Sequence, residues 1–188
     1  MDNFIREYPN DLSEEFCLHV IDKFERDPIK VQGYTARGVE TSIKRSTDLL
    51  ISNHLHWKEE DSAFRSSLTK ALEVYYHDVI KSCYQYVGNT LDTGYNIQRT
   101  KPGEFYGWHN DAAAQQMNGG TYMRIFTFLW YLNDVTEGGE TEFIDGTKIK
   151  PEAGKLLLFP ATWVHAHQGV TPVSNTKYIC TGWVHELY

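Results

Sequence analysis

Apolar residues near the start of the chain recur every three or four positions. Past residue 94 they gather into short runs separated by turn residues. Phe16, Cys17, Val20, Ile21 and Phe24 give one apolar helical face, and Asp11 with Glu14 three later fits a capping box. A second, longer helix is expected from Asp61 or Ser62, with Leu68, Leu72, Tyr75, Val79, Cys83 and Tyr86 on its buried face and Gly88 as its stop. That tyrosine-rich stripe reads as core packed on a sheet. Between the helices the pattern is mixed, broken by Gly33 and Gly38, and the run Leu49–Ile51 is ambiguous.

Strand signals follow. Tyr95–Thr100, Phe105–Asp111, Arg124–Val135, Glu140–Ile144, Thr147–Lys150, Lys155–Phe159 and Lys177–Val184 read as strands, with turns at Lys101–Glu104, Thr136–Gly139, Asp145–Gly146 and Pro151–Gly154. The run around Ile125, Phe126, Phe128, Leu129, Trp130, Tyr131 and Leu132 is apolar on both faces, as a central strand must be. Ala112–Thr121 is small, polar and glycine-containing and reads as a mobile loop. Two helices before at least seven short strands predict a mostly β, α+β fold: a double-stranded β-helix (jelly-roll) core packed against two N-terminal helices. One domain over 1–188 is expected, with helical support over about 1–90 and the catalytic core over about 91–188.

Composition narrows the function. The formal charge of −7 argues against a nucleic-acid binder. Ile43-Lys44-Arg45 and Ile149-Lys150 are the only basic clusters, and both read as solvated surface. No apolar run approaches a membrane span, and the first residues lack the pattern of a secretory signal. Cys17, Cys83 and Cys180 are odd in number and widely spaced, so they read as reduced core thiols in a cytoplasmic setting.

The candidate chemistry sits in Tyr106-Gly107-Trp108-His109-Asn110-Asp111. Side chains two apart on a strand share a face, so His109 and Asp111 can offer an imidazole and a carboxylate to one divalent ion. His167 is the candidate third ligand. Two histidines and one carboxylate on one face of an octahedron are the ligand set of non-haem Fe(II) oxygenases. Lys177, ten residues after His167, can pair with a dicarboxylate such as 2-oxoglutarate whose other end chelates the metal. Tyr106 can donate a phenolic hydrogen bond to the same cosubstrate. His54 and His56 lack a third partner nearby and read as packing or surface residues.

These features resemble the 2-oxoglutarate- and Fe(II)-dependent dioxygenases of the prolyl 4-hydroxylase type. The resemblance rests on Pro102-Gly103, Tyr106, His109-x-Asp111, Arg124, Thr127, Tyr131-Leu132-Asn133-Asp134-Val135, Glu137-Gly138-Gly139-Glu140-Thr141, Phe159-Pro160, His167-x-Gly169, Pro172-Val173, Lys177 and Gly182-Trp183-Val184, all in one order. It implies Fe(II) on His109, Asp111 and His167, and the distal carboxylate of 2-oxoglutarate on Lys177. It further implies Tyr106 lining the cosubstrate pocket and Trp183 packing near the metal. The implied reaction consumes O2 and couples decarboxylation of 2-oxoglutarate to succinate and CO2 with hydroxylation of a C–H bond, most simply on peptidyl or free proline. Ascorbate is the implied reductant. The implied partners are a peptide, protein or amino-acid substrate, with no nucleic acid and no membrane.

Two departures matter. The family often has a second tyrosine nine residues before the first histidine ligand; here Thr100 stands there, and either its hydroxyl or Tyr95 takes that place. His165 competes with His167, but the ten-residue interval to Lys177 and the following Gly169 favour His167, leaving His165 as a supporting or substrate-facing group. A halogenase would need a small residue at position 111, where Asp111 stands. A cupin-type metalloenzyme and a non-catalytic jelly-roll binding module are the competing readings.

Overall fold

The computed structural model describes residues 2–80, 90–117 and 119–187. Thirteen strands and two long helices follow in order among these residues: β1 (Arg6–Tyr8), α1 (Glu14–Arg26), β2 (Val31–Gln32), β3 (Thr47–Leu50), α2 (Lys58–Tyr75), β4 (Thr90–Asp92), β5 (Asn96–Thr100), β6 (Tyr106–His109), β7 (Ala114–Met117), β8 (Gly120–Tyr131), β9 (Thr141–Phe143), β10 (Lys148–Ile149), β11 (Leu156–Pro160), β12 (His167–Gly169) and β13 (Lys177–Leu187). They form a large sheet in the order β1-β11-β8-β13-β5-β3-β2, with β4 on β13 and β7 on β8, and a small sheet in the order β10-β9-β12-β6. This is the expected jelly roll with two helices. Strands β1, β2 and β3 join the large sheet, so the first 90 residues supply more than helical support.

Strand β8 is central, between β11 and β13, and its alternation builds two cores. Phe126, Phe128 and Trp130 pack with Cys17, Val20, Phe24, Phe64, Leu68 and Tyr75 of the helices. Leu129 and Tyr131 pack instead with Phe143, Leu157, Phe159 and Ile179 between the sheets. Both helical faces therefore fall as their spacing predicts. Cys83, Tyr86 and Gly88 lie outside the described residues.

Several boundaries differ from expectation. Ser13 caps α1 by accepting from the Phe16 N–H at 3.1 Å. Asp11 is drawn away to accept from the indole of Trp130 at 2.7 Å and from the Ser67 hydroxyl, which ties α2 to the sheet. Helix α2 starts at Lys58, its first turn carrying Glu59, Glu60 and Asp61 where the helix dipole favours negative charge. The segment expected as a mobile loop is a hairpin: β7 pairs with β8 from Ala114↔Met123 to Met117↔Gly120, and Gly119 turns it at φ +78°. Composition there named the turn but missed the ladder.

Candidate metal and cosubstrate site

Strand β6 ends at His109 and does not reach Asp111. Asn110 accepts from the Ala112 N–H at 3.2 Å and turns the chain out of the strand. The Asp111 carboxylate still reaches the same centre, because its Oδ2 accepts from the Thr127 hydroxyl of β8 at 2.7 Å. His167 comes from β12, where it lies directly across from His109. Side chains so paired are close neighbours. The two imidazole centroids are 4.3 Å apart, and each Nε2 is 3.8 Å from one oxygen of Asp111. The three donor atoms lie within 4.8 Å of one another.

The imidazole tautomers are fixed from behind. His109 Nδ1 is 2.9 Å from the Gly107 carbonyl, and His167 Nδ1 is 3.0 Å from the His165 carbonyl. A carbonyl only accepts, so each Nδ1 carries the proton and each Nε2 presents its lone pair to the centre. Burial, and then the nearby His167, lower the pKa of His109 and keep its ring neutral. Burial alone would raise the Asp111 carboxyl; the neighbouring imidazoles of His167 and His109 and the Thr127 bond outweigh it and lower its pKa. Two imidazoles and one carboxylate fit a divalent transition metal such as Fe(II).

The centre opens into a cavity of about 450 Å³. The large sheet forms its floor: Asn96, Gln98 and Thr100 of β5 alternate with the buried Ile97, and Lys177, Ile179, Thr181 and Trp183 alternate along β13. Lys177 is 5 % exposed and sits opposite Thr100 in the ladder. Its ammonium lies over the Tyr131 ring, 5.6 Å from the centroid, and donates no hydrogen bond among the described residues. Burial lowers its pKa to about 8, with Glu140 pulling the other way. Tyr106 stacks on His109 at 3.7 Å and lines the same cavity. Trp183 lies beneath the guanidinium of Arg124 at 3.5 Å. Its buried indole N–H makes no hydrogen bond of regular geometry among the described residues, but it lies near enough to the Asp111 carboxylate to help lower its pKa.

Thr100 is thus on the cavity wall, and Tyr95 is not. Tyr95 is fully buried on the helix side, stacked on Phe64 at 5.7 Å. An odd-numbered neighbour of Asn96 cannot share its face. The side chain of His165 faces away from the centre: Nε2 meets the Asn3 carbonyl at 2.8 Å and Nδ1 the Thr162 hydroxyl at 2.7 Å. His56 pairs with Asp27 at 2.7 Å. Lys44, expected on a solvated surface, is buried against Asp48 at 2.7 Å and lines the cavity. Spacing gave no sign of it, since the fold brings residues 43–45 beside β6 only in three dimensions. Asn96 and Gln98 were also missed; alternation from Thr100 would have pointed to them.

A jelly roll that gathers such a triad and a buried ammonium around one cavity has the architecture of a mononuclear non-haem metal oxygenase. The sequence pattern of the 2OG-Fe(II) oxygenase superfamily matches residues 95–185. A PKHD-type hydroxylase of Rippkaea orientalis is 25% identical over 174 residues, 89% of this chain and 72% of that protein. Prolyl 4-hydroxylase 13 of Arabidopsis thaliana is 25% identical, over 95% of this chain and 69% of its own. A viral collagen prolyl hydroxylase from Paramecium Bursaria Chlorella virus-1, solved with 2OG, has the same fold, with a TM-score of 0.70, 21% identity, and coverage of 97% of this chain and 96% of that one. A prolyl hydroxylase from Trichoplax adhaerens, solved with a hypoxia inducible factor peptide fragment, superposes with a TM-score of 0.65 at 22% identity, over 97% of this chain and 83% of that one. The chain is a dioxygenase that resembles the 2OG-Fe(II) oxygenases of prolyl 4-hydroxylase type. Fe(2+), 2-oxoglutarate and O2 are the cofactors this class implies. No helix among the described residues is long and apolar enough to cross a membrane.

Proposed function

We propose that the chain hydroxylates a C–H bond of peptidyl or free proline and converts one 2-oxoglutarate to succinate and CO2 per hydroxylation. The observation that carries this is the shared cavity: His109, Asp111 and His167 at one end and a Lys177 ammonium in the floor that donates no hydrogen bond among the described residues. Bound Fe(II) supplies the activation of O2 and the redox chemistry. His109, Asp111 and His167 would hold it, with the cavity beside them left for cosubstrate and oxygen. Lys177, helped by the Thr100 hydroxyl, holds the distal carboxylate of 2-oxoglutarate. Ferrous ion, Asp111, the cosubstrate dianion and Lys177 then sum to zero charge, which suits a buried cavity. Tyr106 backs the cosubstrate, and Trp183 with Arg124 closes the metal side.

Proline is favoured by the prolyl 4-hydroxylase names among relatives that match nearly the whole chain. A peptide substrate is favoured by the peptide bound to the Trichoplax neighbour. On this reading residues 1–188 work as one catalytic domain in the cytoplasm, where the buried Cys17 and Cys180 stay reduced and ascorbate re-reduces iron after uncoupled turnover. The test is mass spectrometry of proline-containing peptides and free proline after aerobic incubation with Fe(II), 2-oxoglutarate and ascorbate. A gain of one oxygen matched by one succinate is expected. Succinate formation that no proline substrate stimulates would reject the proline assignment and leave the oxygenase.

A further inference from the structure

The Lys44–Asp48 pair lies inside the cavity wall, yet nothing in the proposed reaction uses it. Lys44 is 3 % exposed and Asp48 1 %. The ammonium donates to Asp48 Oδ2 at 2.7 Å, and Asp48 also accepts from Ser46 at 2.6 Å and Asn96 at 3.3 Å. The space is tight: a Cβ on Gly33 would meet the Ser46 hydroxyl at 2.0 Å and Lys44 Cε at 3.2 Å. Asp48 belongs to β3 of the large sheet, whereas the Lys44 segment lies along β6 of the small one. Arg45 N–H donates to the Phe105 carbonyl at 2.8 Å, and Gly107 N–H donates to the Ile43 carbonyl at 2.7 Å. That same Gly107 turns its own carbonyl to His109 Nδ1. The Lys44 ammonium also lies over the Tyr106 ring, 5.0 Å from its centroid, and Tyr106 stacks on His109 with 12° between planes.

We infer that Lys44 is a positioning residue for the metal centre: anchored by Asp48 on one sheet, it holds Tyr106 against His109 on the other and so fixes the imidazole that faces the metal. This rests on the metal-centre reading above. The chemical basis is general. A ligand imidazole binds well only when its ring plane is fixed, and the groups that fix it are commonly worth tenfold or more in metal affinity. A cation over an aromatic face gains strength when desolvated, as here.

The test is equilibrium binding of Co(II) alone, read by visible absorption, with thermal melts of the metal-free proteins as a folding control. The variant is Lys44→Met with Asp48→Asn, which leaves no buried charge unpaired. The expected result is a cooperative melt with Co(II) affinity down by about tenfold to a hundredfold. Tyr106→Leu, with the ion pair intact, is expected to lose a similar amount, and adding it to the double variant to cost little more, since both act through one ring. Lys44→Arg, which keeps charge and pair, is expected to stay within about threefold of the parent. Co(II) affinity unchanged in the double variant, or in Tyr106→Leu should the double variant not fold, overturns the inference. A parent chain that binds no Co(II), or a His109→Ala variant that binds it as tightly, overturns the metal-centre reading itself.

Discussion

Along β8 neighbouring side chains serve different ends. Phe126, Phe128 and Trp130 enter the helix-side core, while Thr127 and Leu129 line the cavity. Strand β13 repeats the division, with Cys180 and Val184 on the helix side and Lys177, Ile179, Thr181 and Trp183 on the other. One face buries mainly apolar surface and gains stability from it. The other buries a carboxylate, two imidazoles and a lone ammonium, which cost stability until ligands arrive. Sharing a backbone makes the helix-side face a rigid support for the reactive one. It also means that substitutions one residue apart should fail in different ways.

The largest expected effect is on the reactive face. His109→Ala or Asp111→Ala should abolish succinate formation while the metal-free protein still melts cooperatively. Succinate release at the parent rate would remove that residue from the ligand set. On the opposite face, Phe128→Ala should cost about 3–5 kcal/mol of folding stability, measured by urea denaturation, because its ring is fully buried among close neighbours. The fraction still folded should bind metal as the parent does. A loss of metal affinity at unchanged stability would mean the faces are not separable.

Lys177→Met sharpens the contrast, because its two effects should have opposite signs. Losing a charge-assisted contact worth roughly 1.5–3 kcal/mol should raise the KM for 2-oxoglutarate about tenfold to a hundredfold. The melting temperature of the ligand-free protein should rise, because a buried cation with no hydrogen-bond partner among the described residues has been removed. The pH dependence has a definite direction. Burial lowers the Lys177 pKa from its ordinary 10.5 to about 8, so the ammonium is lost as pH rises through 8. Between pH 8 and 10.5 the unfolded chain holds the extra proton, so this group makes the ligand-free fold more stable as pH rises. Affinity for 2-oxoglutarate should fall over the same range, and a flat binding profile from pH 7 to about 9.5 would contradict the pairing. The smallest effect expected is for Thr127→Val, which frees Asp111 of one hydrogen bond and should weaken metal binding by about tenfold with little change in stability.

Much of this was legible in the residues. Helix faces and the central place of β8 follow from period and turn signals, and the His109-x-Asp111 pair from strand spacing, because each depends on neighbours in sequence; His167 and Lys177, far along the chain, were singled out by the family resemblance. What escaped depends on distant partners. Asp11 reads locally as a cap but bonds Trp130, 119 residues away. Strand β1 is too short to announce itself and exists because Arg6–Tyr8 completes an edge beside Leu156–Leu158. Lys44 looks like an exposed charge until the fold sets Asp48 and Tyr106 beside it. Thr100 and Tyr95 were separable by parity once β5 was placed, yet only the structure fixed which parity faces the cavity.

The central claim is most directly tested by titrating the Fe(II)-loaded chain with 2-oxoglutarate under anaerobic conditions and recording visible absorption. A weak metal-to-ligand charge-transfer band that saturates at one cosubstrate per chain, and vanishes in His167→Ala, is the predicted result. No band in the parent chain, or the same band in His167→Ala, would contradict a metal held by all three side chains.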